Sequence, residues 1–250
     1  MAQPFQDCFS EDASAYARFR PAYPAALFEW LASLTPRREL AWDVGTGSGQ
    51  AAVGLAEHFR QVVATDASAA QIANARPHPG VVYRIAVAGK SGLAAATADL
   101  VTVGQALHWF DRTAFFREAA QVLAPEGAIA VWCYGLLRVF SEVDGVTEQL
   151  YADLLGEWWP PDRRLVDDGY RSIEFPFHEI PAPELIMEAL WTFPQLLGYL
   201  GTWSGVRRCR AETGVDPVQR VVPRLAAAWG DPDGARWVRW PLSFRVGRPG

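Results

Sequence analysis

Leu40-Ala41-Trp42-Asp43-Val44-Gly45-Thr46-Gly47-Ser48-Gly49-Gln50 is an apolar run that ends in an acid and then breaks into glycines at every second position. Such a run reads as a buried strand turning abruptly into a loop that needs backbone freedom and close approach to a ligand. Outward from it, Gln61-Val62-Val63-Ala64-Thr65-Asp66 is a second strand, and its closing acid stands 21 positions after Gly45. Strand, glycine turn, helix, strand and acid form the layout of a nucleoside-binding βαβ unit, with the second carboxylate placed for ribose hydroxyls. The spacing is G-x-G-x-G, not the G-x-G-x-x-G that brings a helix N-terminus to a pyrophosphate. An acid directly before the turn repels a pyrophosphate but suits a ligand carrying an ammonium and a sulfonium.

The alternation continues along the chain. Leu40 to Val44 is strand one and Gln50 to Phe59 its helix; Val62 to Thr65 is strand two, followed by a helix over Ser68 to Ala75. Strand three is Val81 to Ile85 and strand four Asp99 to Val103; a helix over Arg112 to Leu123 ends at Pro125-Glu126-Gly127, before strand five at Ala128 to Trp132. Parallel strands need crossover helices, so short, regular alternation predicts an α/β, doubly wound sheet. After strand five, Gly135 to Asp168 is too long and too apolar for a linker and reads as an insertion over the sheet's carboxyl edge. Ser172 to Ile180 is expected as a strand, Pro183 to Trp203 and Asp216 to Trp229 as helices, and Arg236 to Val246 as a closing strand whose alternate residues are apolar. The expected architecture is a mainly parallel seven-stranded sheet with helices on both faces and a helical, aromatic-rich cap after strand five. Its expected segments are N-terminal lid helices over 1–35, a cofactor-binding core over 36–135, cap and remaining core over 136–235, and the closing strand over 236–250.

Composition narrows the class. With 250 residues, 50% of them hydrophobic, the chain is long enough to bury a sizeable core, and a net charge of −5 without long like-charge runs gives no sign of a nucleic-acid or anionic-membrane partner. No signal peptide is legible, and no apolar stretch reaches the roughly 18 residues of a membrane span. Cys8, Cys133 and Cys209 lie far apart and the four histidines lack ligand spacing, so reduced thiols, a cytoplasmic location and no metal are expected.

At the glycine loop the chain resembles the class I S-adenosylmethionine-dependent methyltransferases, whose first motif is an acid followed by G-x-G-x-G. Within them it is similar to the small-molecule branch that includes trans-aconitate methyltransferase-like proteins. The segments that carry this are Tyr16-Ala17-Arg18-Phe19-Arg20-Pro21-Ala22-Tyr23-Pro24, Gln105-Ala106-Leu107-His108-Trp109-Phe110-Asp111, and Val122-Leu123-Ala124-Pro125-Glu126-Gly127. The likeness covers roughly residues 14 to 135. It implies S-adenosylmethionine as cofactor, with Gly45, Thr46, Gly47 and Gly49 under its methionine part and Asp43 near its ammonium. It further implies that Asp66 takes the ribose hydroxyls, that Ala67 lies beside the adenine and Ala88 at its edge, and that Tyr16 or Arg20 of an N-terminal lid reaches the cofactor carboxylate. Where many relatives place an acid near the adenine edge, this chain has Ala88-Gly89-Lys90.

Strand four ends where a doubly wound sheet places its ligand crevice, which directs Gln105, His108 and Trp109 at the reacting centre. His108 is a candidate general base or a wall of the pocket. Trp203 and Arg207, on an aromatic stretch, are candidate substrate contacts, with the guanidinium clamping a carboxylate. The expected activity is methylation of a small molecule, with a carboxylate-bearing acceptor preferred, by a monomer or homodimer. The alternatives are O- or N-methylation of a natural-product scaffold and a non-catalytic S-adenosylmethionine-binding protein. Against a nicotinamide oxidoreductase stands the loop spacing.

Overall fold

The strands over 40–44, 61–66 and 98–104 are buried along most of their length on both faces, and only an interior position of a doubly wound sheet accommodates that. The computed structural model describes residues 19–250, and Tyr16 lies outside them. β1 (Leu40–Val44) is buried along almost its whole length, as are β2 (Gln61–Asp66) and β4 (Ala98–Gly104). β3 (Val81–Ile85) is the exposed edge. Helices α1 (Ala25–Ser33), α2 (Gln50–Ala56), α3 (Ala69–Ala73) and α4 (Arg112–Val122) cover this parallel part. α3 and α4 are capped by Ser68 and Asp111, whose side chains accept the main-chain N–H groups of Gln71 and Ala114.

β5 (Leu123–Tyr134) follows α4 without a turn, running through the Pro-Glu-Gly expected to separate them. The chain then adds α5 (Ser141–Gln149), α6 (Arg163–Asp167), β6 (His178–Glu179), β7 (Ile186–Trp191), α7 (Phe193–Gly201), α8 (Ser204–Thr213), α9 (Val222–Trp229) and β8 (Arg236–Arg248). The strand order is β3-β2-β1-β4-β5-β8-β6, with β7 on β8, so the sheet has eight strands. β8 runs antiparallel to β5, β6 and β7.

Four expectations are corrected here. The helix expected over 183–203 is split: Ile186 to Trp191 alternates buried and exposed residues against β8, and the helix starts only after Thr192, whose capping box with Gln195 and the following Pro194 define an N-terminus. The strand expected over 172–180 shrinks to two residues because Phe175 and Phe177, either side of Pro176, pack against Phe116 instead of extending the ladder. The helix expected over 216–229 is a short turn (Pro217–Arg220) followed by α9, with Pro223 in its first turn. α8, unanticipated, ends at Gly214 in the left-handed conformation, φ 71°.

Two cores sandwich the sheet. On one face α1, α2 and the cap helices pack over Leu100, Trp132 and Trp240; on the other Trp42, Phe115, Phe116 and Ile129 meet Leu165 and Tyr170. The segment after β5 therefore reaches both faces and wraps the carboxyl ends of β4 and β5. Four of the tryptophans, Trp42, Trp132, Trp229 and Trp240, are wholly buried and serve packing. Among the described residues no helix is long and apolar enough to cross a membrane.

Candidate active site

Asp43 closes β1 and is 1% exposed. Its two carboxylate oxygens accept hydrogen bonds from Thr46 Oγ1 at 2.6 Å and Thr102 Oγ1 at 2.8 Å. Burial pushes its carboxyl up to about 6, a rise that the nearby Asp66 reinforces and the two threonine hydroxyls oppose. The acid thus ties the glycine loop to the end of β4, and any influence on a ligand's ammonium is exerted through its field.

Gly45, Gly47 and Gly49 all adopt positive φ, at 66°, 54° and 77°. The main-chain N–H groups of Gly45 and Thr46 donate to Thr65 O at 2.8 and 3.0 Å, so the loop is sewn to β2. A Cβ on Gly45 would lie 2.7 Å from Ala106 Cβ and 2.9 Å from Phe110 Cζ, whereas one on Gly47 would meet nothing closer than 3.9 Å. Gly45 is a packing requirement and Gly47 the open floor over which a ligand can pass. Gly45→Ala is therefore expected to lower stability by about 2 kcal/mol or more, from the left-handed backbone and the displaced Ala106–Phe110 turn together. Urea denaturation measures this, and a change below about 0.5 kcal/mol would contradict the close approach.

Asp66, at the tip of β2, accepts the Gly47 N–H and the Ser68 N–H, both at 2.9 Å, one on each oxygen. Two amides fix its orientation at the loop it shares with Gly47. Ala67 and Ala88 are half-buried beside it, and Ala86 N–H donates to Asp66 O at 3.0 Å. Gln50 Nε2 donates to Pro21 O at 3.0 Å, tying the start of α2 to the N-terminal segment.

Next to the glycine loop a cleft opens at the carboxyl ends of β4 and β5. Its walls include Arg20, Gln105, His108, Trp109, Arg163 and Trp203, and among the described residues no acid lines it. Of the residues singled out in the sequence, Arg20, Gln105, His108, Trp109 and Trp203 converge here, and Arg207 lies outside the lining. Arg20 Nη1 donates to Tyr134 Oη at 3.0 Å, and its guanidinium lies 5.4 Å from the Tyr199 ring centroid. Gln105 takes φ 56° and uses its amide as an extra rung: Nε2 donates to Tyr134 O at 3.1 Å and Oε1 accepts the Tyr134 N–H at 2.8 Å. His108 is buried, and desolvation, with the Arg163 and Arg112 guanidiniums nearby, pushes its imidazole down to about 3. It is neutral at pH 7 and a weak proton acceptor.

Arg163, which sequence reading passed over, supplies the cap's cation. Its guanidinium stacks 5.0 Å from the Trp159 centroid and 5.3 Å from that of Tyr151. Nε donates to Tyr151 Oη at 2.9 Å and sits 3.4 Å from Asp167 Oδ1. Its terminal nitrogens have no hydrogen-bond partner among the described residues, so the fork faces the cleft. Tyr170 was missed as well; its signal was the preceding Gly169 inside an aromatic segment. Arg163 follows Trp158-Trp159-Pro160-Pro161, a pattern that reads as cap packing and hides a cation behind it.

The methyltransferase-domain family matches residues 42–131, which spans β1 to β5 and the whole glycine loop. A protein of Dictyostelium discoideum named as a methyltransferase is 32% identical over 234 residues, covering 92% of this chain and 89% of its own length. The chain belongs to the class I S-adenosylmethionine-dependent methyltransferases. A solved structure from Anaeromyxobacter dehalogenans, provisionally described as a type II methyltransferase, superposes on this methyltransferase with a TM-score of 0.86 at 48% identity, covering 92% of this chain and 97% of that one. The fold is also shared, at 15% identity and a TM-score of 0.50, by a Haemonchus contortus phosphoethanolamine N-methyltransferase bound to S-adenosylhomocysteine, over 100% of this chain and 61% of that chain. Membership of this family, carried by the sequence matches, makes S-adenosylmethionine the cofactor. The residues present fit it: an open floor at Gly47, an oriented carboxylate at Asp66, and a buried acid beneath the loop.

Proposed function

We propose that this methyltransferase methylates an oxygen of a small, carboxylate-bearing acceptor held in the cleft between β4, β5 and the cap. In this reading Asp66 holds the ribose, Gly45, Thr46, Gly47 and Gly49 carry the methionine part, Asp43 biases the field at the ammonium, Ala67 and Ala88 flank the adenine, and Arg20, with Tyr16, takes the cofactor carboxylate. When bound, S-adenosylmethionine supplies an electrophilic methyl group on sulfur.

The observation that carries the acceptor class is Arg163. Asp167 and Tyr151 engage only its Nε, so its terminal nitrogens can match a carboxylate bidentately, and among the described residues no acid lines the cleft. The buried His108 of low basicity agrees with this, because a carboxylate is already a nucleophile and needs no proton removed. Trp109, Trp159 and Trp203 exclude water and align the reactants, and orientation of this kind can supply about 7–11 kcal/mol. The proposed reading includes membership of the trans-aconitate methyltransferase-like branch and a cytoplasmic monomer or homodimer.

A cofactor-consumption screen against pooled carboxylic acids, phenols and amines tests it. Turnover is expected in the carboxylate pool; turnover with phenols or amines alone would point to a natural-product scaffold, and tight cofactor binding without turnover in any pool to a non-catalytic binder. Arg163→Met is expected to raise the acceptor KM about 10- to 100-fold, equivalent to about 1.5–3 kcal/mol for lost charged hydrogen bonds, while cofactor affinity changes little. An unchanged KM would remove Arg163 from acceptor binding.

A further inference from the structure

Behind His108 stands a buried phenol in an unusual setting. Tyr170 is wholly buried, and its hydroxyl lies 2.9 Å from His108 Nδ1. It has φ 63° and follows Gly169 at φ 67°, so two successive residues take the left-handed conformation, uncommon for a tyrosine. Surrounding contacts hold the turn. Tyr170 N–H donates to Leu165 O at 2.8 Å, and Arg245 Nη1 donates to Tyr170 O at 2.9 Å. A backbone held this way over-determines where the phenol points, and it points at the imidazole.

The hydroxyl has one proton to give. Nδ1 is the one hydrogen-bond partner of that hydroxyl among the described residues, so the wholly buried phenol satisfies its proton by giving it to Nδ1. Nδ1 then accepts, and the ring's own hydrogen sits on Nε2, which has no partner among the described residues and belongs to the cleft wall. The charged groups near the ring are Arg112 and Arg163, with Tyr170 and Trp109 packed against it. None of these is an acid that would favour a protonated imidazole.

We propose that Tyr170 is a positioning residue whose hydroxyl holds the His108 imidazole in the Nε2–H form, so that His108 donates a hydrogen bond to the acceptor oxygen that is not methylated. This rests on the carboxylate reading of the cleft. The attacking oxygen forms a bond to the methyl carbon as the carbon–sulfur bond breaks, the electron pair of that bond stays on sulfur, and no proton is released. The other oxygen becomes the ester carbonyl, still an acceptor for Nε2–H. His108 thereby sorts the two oxygens of one carboxylate into a held one and a reacting one.

Two-bond proton–nitrogen NMR spectra of the free, histidine-labelled enzyme test the tautomer without any acceptor. Expected is an Nε2–H imidazole for His108 that does not titrate from about pH 5 to about pH 9; in Tyr170→Phe an Nδ1–H population appears. An Nδ1–H ring in the wild type, or a titration near neutrality, overturns the proposal. With a pool of C4–C6 carboxylic acids as acceptor, Tyr170→Phe and His108→Leu are expected to raise the apparent KM about tenfold with kcat within about threefold, and His108→Gln, which keeps a donor, to recover most of it. A collapse of kcat in His108→Gln with an acidic limb in the wild-type pH profile would make His108 a base. The NMR result stands or falls independently of the acceptor screen, so failure of the carboxylate reading is told apart from failure of the tautomer.

Discussion

Asp66→Ala is expected to weaken S-adenosylmethionine binding by about 10²- to 10⁴-fold, to be read by calorimetric titration. The expectation follows from what its carboxylate already does. Gly47 N–H and Ser68 N–H each hold one oxygen at 2.9 Å, so the carboxylate is oriented before any ligand arrives. Two further hydrogen bonds from ribose hydroxyls to a charged, preoriented acceptor are worth about 1.5–3 kcal/mol each, which together give that range. Asp66→Asn should lose less than the alanine variant but still substantially, because its amide NH₂ faces a main-chain N–H donor where an oxygen is required. An affinity within threefold of wild type in Asp66→Ala would take the ribose away from Asp66.

The second large effect is hidden in the wild type and revealed by paired variants. Burial raises the Asp43 carboxyl to about 6 in the folded state, against 3.8 for the free group. Its contribution to stability is complete below the lower value and is lost as pH rises through about 6. His108 behaves oppositely. Its imidazole falls to about 3 from 6.5, so the stability it carries is present above 6.5 and is lost progressively as pH falls toward 3. Over pH 6 to 4 each effect amounts to about 3 kcal/mol, at about 1.4 kcal/mol per unit, and the two cancel to a large extent. Asp43→Asn removes the gain and leaves the loss, so stability relative to wild type should drop by about 3 kcal/mol between pH 7 and 4. His108→Gln removes the loss and should rise relative to wild type by a similar amount over the same window. Urea denaturation at several pH values reads both, and three parallel stability curves would show that neither group titrates anomalously.

The cofactor half was written plainly in the sequence because its signals are local. Leu40–Val44 and Val81–Ile85 are strands with the bounds that their apolar runs and flanking turns imply, and the three glycines all take the positive φ their spacing demands. Asp43 and Asp66 sit at strand tips as anticipated, though the Asp43 carboxylate is consumed by two threonine hydroxyls, one of them 59 residues away on β4. The cap was harder to read for physical reasons. Ile186–Trp191 contains helix-compatible Met, Glu, Ala and Leu, and only pairing with β8, about fifty residues later, makes it a strand. Arg207 and Arg163 look alike in sequence; which one reaches the cleft depends on the turn that α6 makes after Trp159-Pro160-Pro161. Tyr170 and Gln105 take left-handed backbones that only tertiary contacts maintain, and no propensity announces them.

The position of β8 carries a consequence in time. It is the last element of the chain, yet it pairs with β5, β6 and β7, and its Trp240 Nε1 donates to Tyr199 Oη at 3.0 Å inside the cap. A ribosome emits the glycine loop, both acids and β1 to β5 well before it emits β8. The half proposed to take the methyl donor can therefore form while the cap proposed to choose the recipient still lacks the strand on which it is built.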